Sequence, residues 1–376
     1  MTHRLPQVSI VIINFNYARY VGGAIESALA QTYGAKEIVV VDDGSTDGSR
    51  EVIRAFGDRV RTVLQPNGGQ TRAMNAGFAA ASGEILMFLD ADDMLAPDAL
   101  ENVAAVWRPG LAKVQFCLAL ISAEGRAKRF VFPLFGGGIS PARIRDQVRK
   151  TGLYVWPPTS GNAFARSFLC QVMPLDPDAF PCMTDGVLNT VAPLYGEVVS
   201  IDKVLGYYRI HDCNMQNAPV AERIRRGVIN KRREAEYLRQ RAAELNIELP
   251  ADLLDQMIHL EGRIASLKLD RARHPVAGDR LADLILPALR KLLREDESGA
   301  RRAFHLLWLL AVLVSPPRLC EQLVAYRFIP GARPETLNKL MNALRLVRRR
   351  SSSEKRLLAR AMAPSRAPSV QPGSPA

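Results

Sequence analysis

The stretch that most constrains the fold runs from Ile85 to Asp93, where five apolar residues lead directly into three carboxylates within four positions. A short, continuous apolar run is typical of a strand that is buried on both faces of a parallel sheet. In open α/β sheets, ligands bind just beyond the carboxyl ends of the strands. We therefore expect Asp90, Asp92 and the neighbouring Asp93 to lie at a binding site.

Three carboxylates this close together repel one another strongly unless a cation neutralises them. Divalent cations prefer oxygen ligands, and Mg²⁺ typically takes one or two carboxylates and shares its remaining positions with water and substrate phosphates. The competing interpretation is a solvated acidic turn that begins a helix, with Pro97 near the first helical position. The rest of the chain favours the first interpretation.

Two further apolar runs end in polar residues in the same way. Residues 8–13 precede Asn14, and residues 37–41 precede Asp42 and Asp43, while a third strand is predicted over 60–64. Three helices are predicted between the runs. The first covers 20–31, the second follows a cap at Ser45 or Thr46 and ends at about residue 56, and the third covers 71–81. Alternating strands and short helices predict a parallel, doubly wound α/β sheet with these polar residues at one edge.

The sequence pattern changes twice after this region. From about Phe116, Pro and Gly interrupt the apolar runs, which is typical of a variable substrate-recognition region. From about Ala218 the chain becomes charged, and helices are predicted over four ranges: 221–245, 252–273, 277–295 and 298–315. The residues from Pro364 onward are rich in Pro, Ser and Ala, a composition that predicts disorder.

The net charge of +12 is concentrated near the C-terminus. Residues 300–376 contain 14 Lys or Arg and 3 Asp or Glu, so they carry +11 and the preceding 299 residues carry +1. Such asymmetry indicates contact with a polyanionic surface, either anionic lipid or nucleic acid. Because the basic tail lacks a recognisable nucleic-acid-binding fold or interleaved aromatic residues, we do not expect a nucleic-acid partner.

The apolar run 304–314 falls well short of the roughly 20 residues that span a bilayer. A basic amphipathic segment over 340–361 follows it, and together they match a protein that lies on a membrane surface. The alternative is an ordinary buried helix whose Arg residues face solvent. Five scattered cysteines without a C-x-x-C pair and no visible signal peptide favour a reducing compartment. We expect a cytoplasmic protein with peripheral contact at the inner face of the cell membrane.

In combination, these segments resemble the family 2 glycosyltransferases of the GT-A fold. Four pieces match in order and spacing: 8–16, 37–48, 67–69 with Arg72 and Asn75, and 82–93. The close match spans about residues 7–100, and a looser one continues through 158–162, Asp185 and 207–211 to about residue 216. The resemblance implies a GT-A-like α/β domain with a mostly parallel sheet and flanking helices. The helical C-terminal region that follows this domain is predicted from the sequence pattern and lies outside the resemblance.

The resemblance also implies a domain organisation. It predicts a glycosyltransferase domain over 1–218, with a nucleotide-sugar-binding half at 7–115 and an acceptor half at 116–218. A helical, basic region over 219–362 and a disordered tail over 363–376 complete the chain.

On the donor side, the resemblance implies that Asp42 and Asp43 meet the nucleobase and ribose of a nucleotide-sugar, while Asp90 holds the ribose or a metal-bound water. The whole predicted donor-binding set is Asn14, Asp42, Asp43, Arg72, Asn75 and Asp90. Asn14 stands where the family more often has Tyr.

For catalysis, the resemblance implies that Asp92 and His211 bind Mg²⁺ or Mn²⁺ and that Asp185 is the catalytic base. Two departures concern the acceptor side: the usual acidic pair is here Thr184-Asp185, and the aromatic residue expected soon afterwards is absent. A metal neutralises a departing diphosphate, and a carboxylate takes the acceptor proton. One base and one metal site fit direct displacement with inversion.

The predicted function is therefore an inverting, metal-dependent glycosyltransferase that moves a sugar from a nucleotide-sugar to a hydroxyl of a glycan or lipid-linked glycan, in polysaccharide or lipid-linked glycan synthesis. A sugar-nucleotide pyrophosphorylase is one alternative, although it is expected to carry a Gly-rich, basic loop where this chain has residues 14–17. A non-catalytic glycan-binding protein is the other. Sugar, nucleotide and acceptor do not follow from the fold.

Overall fold

The computed structural model describes residues 5–135, 139–182, 184–212, 218–294, 299–329, 332–334 and 336–337. The predicted amphipathic segment over 340–361 and the predicted disordered tail over 363–376 lie outside these residues. All structural statements below concern the described part of the chain.

The apolar runs of the first ninety residues form a parallel sheet. Its strands are β1 (Val8–Asn14), β2 (Lys36–Asp43), β3 (Arg61–Gln65) and β4 (Ile85–Asp90), in the order β3-β2-β1-β4. They are connected by α1 (Ala18–Leu29), α2 (Ser49–Arg54) and α3 (Gln70–Ala80). Residues 85–89 of β4 are all buried, as a strand covered on both faces requires.

The predicted cap of the second helix is wrong. Neither Ser45 nor Thr46 begins α2, which starts at Ser49. The Ser45 hydroxyl instead accepts a hydrogen bond from the backbone N–H of Asn16, at 2.9 Å. Asp47 accepts one from the backbone N–H of Ser49, at 3.1 Å. Because the Ser45 hydroxyl is bound at the end of β1, it is not placed to cap the helix.

The sheet continues where the sequence pattern loosens. The elements there are β5 (Met94–Leu95), α4 (Ala99–Val106), β6 (Leu111–Ile121), β7 (Ala127–Phe132), α5 (Pro141–Thr151), β8 (Asn162–Ala165), α6 (Arg166–Val172), α7 (Thr184–Tyr195) and β9 (Glu197–Arg209). The sheet order runs on from β4 through β8, β6 and β9 to β5, and β7 pairs with β6. Because β8 is antiparallel to both β4 and β6 while β9 is parallel to β6, this half of the sheet is mixed.

The C-terminal region is a helical bundle. It comprises α8 (Val220–Glu244), α9 (Met257–Leu269), α10 (Leu281–Arg294), α11 (Gly299–Val314) and α12 (Pro317–Phe328), of which α12 was not predicted from the sequence. The bundle has its own apolar core, and α8 also packs against α7 of the α/β part. The predicted class, an α/β sheet with flanking helices followed by a helical region, is confirmed. Among the described residues, no helix has both the length and the apolar character needed to cross a membrane.

Helix α3 approaches the sheet closely because Gly77 has no side chain. A Cβ built at Gly77 would lie 2.2 Å from Val11 Cγ1 and 3.2 Å from Val41 Cγ2. Both valines are fully buried in the core beneath the helix. The helix therefore cannot admit even a methyl group here without moving away from β1 and β2.

We predict that Gly77→Ala lowers the free energy of unfolding by about 1–3 kcal/mol, because overpacking shifts the helix. Gly23→Ala is the matched control, since Gly23 is also helical but an added Cβ meets nothing within 4 Å. The control should raise that free energy by about 0.5–1 kcal/mol through the lower backbone entropy of Ala. Urea denaturation of both variants measures the difference, and equal stabilities would contradict this packing account.

Candidate functional site

The carboxyl ends of β1, β2 and β4 meet at one edge of the sheet, as the sequence predicted. Asn14 pairs in register with Asp42, and Asp90 pairs with the residue that precedes Asn14. Parallel pairing therefore brings the polar residues that follow three strands to one place.

Asn14 and Asp42 are fully buried and bind each other. The Asn14 side-chain amide donates to Asp42 Oδ1 at 2.9 Å, and the Arg50 guanidinium donates to Asp42 Oδ2 at 2.8 Å. Burial alone would raise the pKa of Asp42, but the hydrogen bonds from Arg50, Ser45 and Asn14 hold it below its ordinary value. Asp42 is thus an ionised carboxylate whose contacts here are internal, and its predicted contact with a nucleotide stays a prediction.

Asp43 organises the loop that follows β3. Its Oδ1 accepts hydrogen bonds from Gln65 Nε2 and from the backbone N–H of Gly68, and its Oδ2 accepts one from the backbone N–H of Gly69. These distances are 2.6, 2.9 and 2.8 Å. Asp43 therefore fixes the loop that leads into α3, on the side where the predicted Arg72 and Asn75 lie.

Arg72 and Asn75, both in α3, face the segment before α7. The Asn75 side chain donates to the carbonyl of Leu175 at 2.8 Å and accepts from the backbone N–H of Leu175 at 3.0 Å. Arg72 is exposed and pairs with Asp178 at 3.5 Å. Asn75 therefore ties two walls of the cleft together, while the Arg72 side chain is free to leave a weak surface pair. Their contact with a nucleotide stays a prediction.

Two carboxylates at the end of β4 differ in exposure: Asp93 is buried, and Asp90 is half-buried. Burial, and then the charges of Asp92 and Asp185, raise the pKa of Asp90 to about 8. Burial, followed by the charges of Asp92 and Asp90, raises the pKa of Asp93 well above its usual range. Asp93 accepts hydrogen bonds from Ser160 Oγ at 2.6 Å and from the backbone N–H of Arg209 at 2.9 Å. Asp93 thus joins β4, β8 and β9, whereas Asp90 lies among the charges of the cleft.

Asp92 lies against His211. The distance from His211 Nε2 to Asp92 Oδ2 is 2.9 Å, and both residues are almost completely buried. The imidazole ring lies 4.7 Å from the Tyr20 ring and 5.5 Å from the Tyr17 ring, measured between centroids. Arg209 fixes the turn by donating from Nε to the Asp92 carbonyl at 2.7 Å. The two predicted metal ligands, which are 119 positions apart in sequence, are therefore brought together.

The residues around Asp92 fit a divalent cation that is shared with a substrate. One carboxylate and one imidazole converge there, and no set of three or more His, Cys, Asp or Glu within the described ranges could hold a metal by itself. Mg²⁺ usually takes one or two protein carboxylates and completes its coordination with water and substrate phosphates. The donor set thus suits a cation that arrives with a diphosphate.

Asp185, the predicted base, lies at the start of α7 and is buried. The pKa of Asp185 is raised to about 6. Burial raises it most, the hydrogen bond from the backbone N–H of Gly186 lowers it, and the charge of Glu234 raises it. The charges of Lys231 and Lys113 lower it. Its own charge in turn raises the pKa of Asp90. Asp185 and Asp90 are therefore close enough for their charges to interact.

Helix α8 contributes residues to this cleft that the sequence analysis did not identify. Glu234 is buried, with Oε2 2.5 Å from Lys231 Nζ and with Oε1 lacking a hydrogen-bond partner among the described residues. A Cβ at Gly186 would lie 2.5 Å from that Oε1 and 3.7 Å from the Trp156 ring. Lys231 lies over Trp156, 5.0 Å from the ring centroid. The helical region thus completes the wall beside Asp185.

A signal for this contact is present in the sequence of α8. The buried apolar residues of the helix follow alternating spacings of four and three with one position of the pattern missing: Ile224, Val228, Ala235, Leu238 and Ala242. Lys231 occupies the position between Val228 and Ala235 at which this pattern requires an apolar residue. A cation on the apolar stripe of a helix indicates a buried polar neighbour, here Glu234.

Part of the chain is similar to known proteins. Residues 9–134 match the family model "Glycosyl transferase family 2". Over 214 residues the chain is 39% identical to an uncharacterized glycosyltransferase of Nostoc sp., a match covering 55% of this chain and 66% of the relative. Over 102 residues it is 45% identical to the chondroitin synthase of Pasteurella multocida, covering 26% of this chain and 11% of that enzyme. The chain thus spans just under two thirds of the first relative and a small part of the second.

Among solved structures, the chain is similar to residues 1–349 of S. aureus TarS, crystallised in complex with UDP. The TM-score is 0.50 at 17% sequence identity, over 85% of this chain and 91% of that one. At this identity the likeness concerns the fold, and it confirms the GT-A-like architecture.

Proposed function

The chain belongs to the family 2 glycosyltransferases, and from this premise we propose that it transfers a sugar from a nucleoside-diphosphate sugar to a hydroxyl acceptor with inversion at the sugar. Because the matches cover only part of its relatives, donor, acceptor and mechanism are our own assignments.

The observation that carries the proposal is the placement of the carboxylates on one cleft. Asp92 and His211 meet at 2.9 Å beyond β4, and the charge of Asp185, from α7, reaches Asp90. A donor bound at the strand ends would therefore present its sugar toward Asp185. Direct displacement needs a base on the side opposite the leaving diphosphate, and we assign Asp185 to that place.

Asp185 acts on the acceptor. Its carboxylate takes the proton of the acceptor hydroxyl while that oxygen forms a bond to the anomeric carbon, and the bond from this carbon to the diphosphate oxygen breaks. The electron pair leaves with the nucleoside diphosphate. A pKa of about 6 keeps Asp185 mostly ionised at neutral pH yet basic enough to accept a proton.

A divalent cation, Mg²⁺ or Mn²⁺, held by Asp92 and His211 would neutralise charge on the departing diphosphate. Arg209 and the aromatic rings of Tyr17 and Tyr20 hold these two side chains in place. Asp43 supports the donor side by fixing the loop before α3.

The pyrophosphorylase alternative finds no support in the loop after β1. Two backbone amides there are already used: Asn16 N–H donates to Ser45 Oγ, and Ala18 N–H donates to Asp47 Oδ2, both at 2.9 Å. A loop that cradles phosphates presents its amides to the ligand instead. A non-catalytic glycan-binding function would leave the buried Oε1 of Glu234, which has no hydrogen-bond partner among the described residues, and the raised pKa of Asp185 without a role.

We propose further that the bundle makes peripheral contact with an anionic membrane, which suits a lipid-linked acceptor. Trp308 is buried in the bundle core, so this part of α11 is an ordinary core helix. Its opposite face exposes Leu307, Leu310 and Val314, which are 67%, 58% and 81% exposed. Residues 300–376, which include nearly all of α11, carry a net charge of +11. An exposed apolar face within such a basic segment matches a helix that lies on a bilayer surface.

The first prediction concerns Asp92. Asp92→Ala should abolish sugar transfer and metal-dependent nucleotide binding, because the one carboxylate at the centre of the cation site is lost. Circular dichroism should report an unchanged fold. Turnover like that of the wild type by this variant, or full wild-type activity in excess EDTA, would refute the metal assignment.

The second prediction concerns Asp185. Asp185→Asn should slow transfer by about 10²-fold or more, as loss of a general base does, while donor affinity is retained. In the wild type, kcat/KM should rise with pH and level off above the pKa of about 6, because only the ionised carboxylate accepts a proton. A matching loss of donor affinity, or a profile in Asp185→Asn identical to the wild-type one, would place Asp185 outside this role.

The third prediction concerns the exposed face of α11. Leu307→Glu should reduce sedimentation of the full chain with anionic liposomes, since it places a negative charge among apolar residues at the bilayer surface. Leu64→Glu, at a 49% exposed position on β3, is the matched control and should sediment like the wild type. Binding should weaken at high salt, because each Lys or Arg near the surface contributes about 1 kcal/mol. A wild-type chain that stays in the supernatant at low salt would rule out the contact.

A further inference from the structure

A cavity of about 270 Å³ lies in the bundle, away from the strand ends. It is bounded by α8, α9 and the end of α12, and its walls are largely apolar, with Ile224, Val228, Leu254 and Ile258 among the lining residues. Ile258 remains 39% exposed although it lines this space. Its size is close to the lower end of small-molecule sites, about 300 Å³.

Two glycines keep the cavity open. Gly227 in α8 and Gly262 in α9 both line it. A Cβ at Gly227 would meet no atom within 4 Å, and one at Gly262 would meet only Val228 Cγ2, at 3.8 Å. Ala would stabilise each helix relative to Gly, and the packing of this chain would accept it. The space beside these glycines is therefore not needed by the protein's own side chains.

The polar residues of the lining are cationic. Arg223, Lys231, Arg232 and Arg263 line the cavity, and none of the lining residues is acidic. Lys231 pairs with Glu234 and Arg263 with Asp279, whereas Arg223 and Arg232 have no ion-pair partner in the described ranges. Burial lowers the pKa of Arg223, so its charge is poorly solvated where it lies. An anion bound there would compensate that charge.

His259 adds a buried acceptor to the wall. Its Nδ1 lies 3.1 Å from the carbonyl of Leu253, which can only accept, so Nδ1 carries the proton. Burial, followed by the charge of Lys231, lowers the pKa of His259 to about 4, so the ring is neutral and Nε2 is an acceptor. This Nε2 is buried without a hydrogen-bond partner in the described part of the chain. A hydroxyl group of a ligand would satisfy it.

From these features we infer that the cavity binds a phosphate ester with one apolar tail. The tail occupies the space beside Gly227 and Gly262, and the phosphate lies against Arg223. The chain's own C-terminal segment is a poorer occupant, because residues 338–376 carry nine Lys or Arg and one Glu, which the cationic lining repels.

The cavity adjoins the acceptor side of the cleft. Lys231 lines the cavity, and the same residue lies over Trp156 and lowers the pKa of Asp185 by its charge. A ligand anchored by its tail would therefore carry its head group toward the catalytic base. Resting on the proposed function, this assigns a lipid phosphate as the anchoring part of the acceptor.

Calorimetric titration of the full chain with decyl phosphate, below its micelle concentration and without donor, tests the assignment. Decyl phosphate should bind at least about tenfold more tightly than inorganic phosphate, which lacks the apolar tail, or decyl glucoside, which lacks the phosphate. Gly227→Leu fills the cavity and should weaken binding of decyl phosphate by about tenfold or more. Arg223→Gln should weaken binding of decyl phosphate but not of decyl glucoside.

Gly23→Leu is the matched control, because Gly23 is likewise helical and faces open space, and it should bind like the wild type. A circular dichroism spectrum and a thermal midpoint like those of the wild type would establish that Gly227→Leu is folded. The assignment is overturned if the full chain does not bind decyl phosphate, if inorganic phosphate binds equally well, or if Gly227→Leu binds like the wild type. If decyl phosphate binds but the chain transfers no sugar, only the proposed function is refuted. If the chain hydrolyses donor but does not bind decyl phosphate, only the cavity assignment is refuted.

Discussion

The burial of like charges at the end of β4 is the constraint on which the rest of the site depends. Asp90, Asp92 and Asp93 lie within four positions, and burial raises the pKa of Asp90 and of Asp93. Buried charges are tolerated only when partners compensate them. Ser160 and the Arg209 backbone bind Asp93, which leaves Asp90 and Asp92 directed at the cleft.

These compensating partners come from the half of the sheet in which the strand direction changes. Ser160 precedes β8, which is antiparallel to β4, and Arg209 ends β9, which is parallel to β6. His211 follows β9 directly and so reaches Asp92. The mixed half of the sheet thus returns the chain to the β4 carboxylates, and α7 and α8 then cover the opposite wall with Asp185, Glu234 and Lys231.

The sequence predicted the parallel half of the sheet well, because β1, β2 and β4 are apolar runs that end in polar residues. It did not predict β6 to β9, since Pro and Gly interrupt the runs there and pairing between distant strands decides which segments are extended. The clustering of strand ends followed from parallel pairing. The contribution of α8 did not, because the spacing in α8 singles out Lys231 but does not identify Gly186, in a distant helix, as the residue that Glu234 meets.

The central claim is that the carboxylates beyond β4 form a site for a divalent cation shared with a nucleoside diphosphate. Crystals of the full chain grown with Mn²⁺ and UDP or GDP test it directly, since the anomalous signal of manganese locates the ion. The account predicts a manganese peak within coordination distance of the Asp92 carboxylate and of a diphosphate oxygen. A diphosphate bound without manganese at Asp92, or a manganese peak elsewhere in the chain, would contradict it.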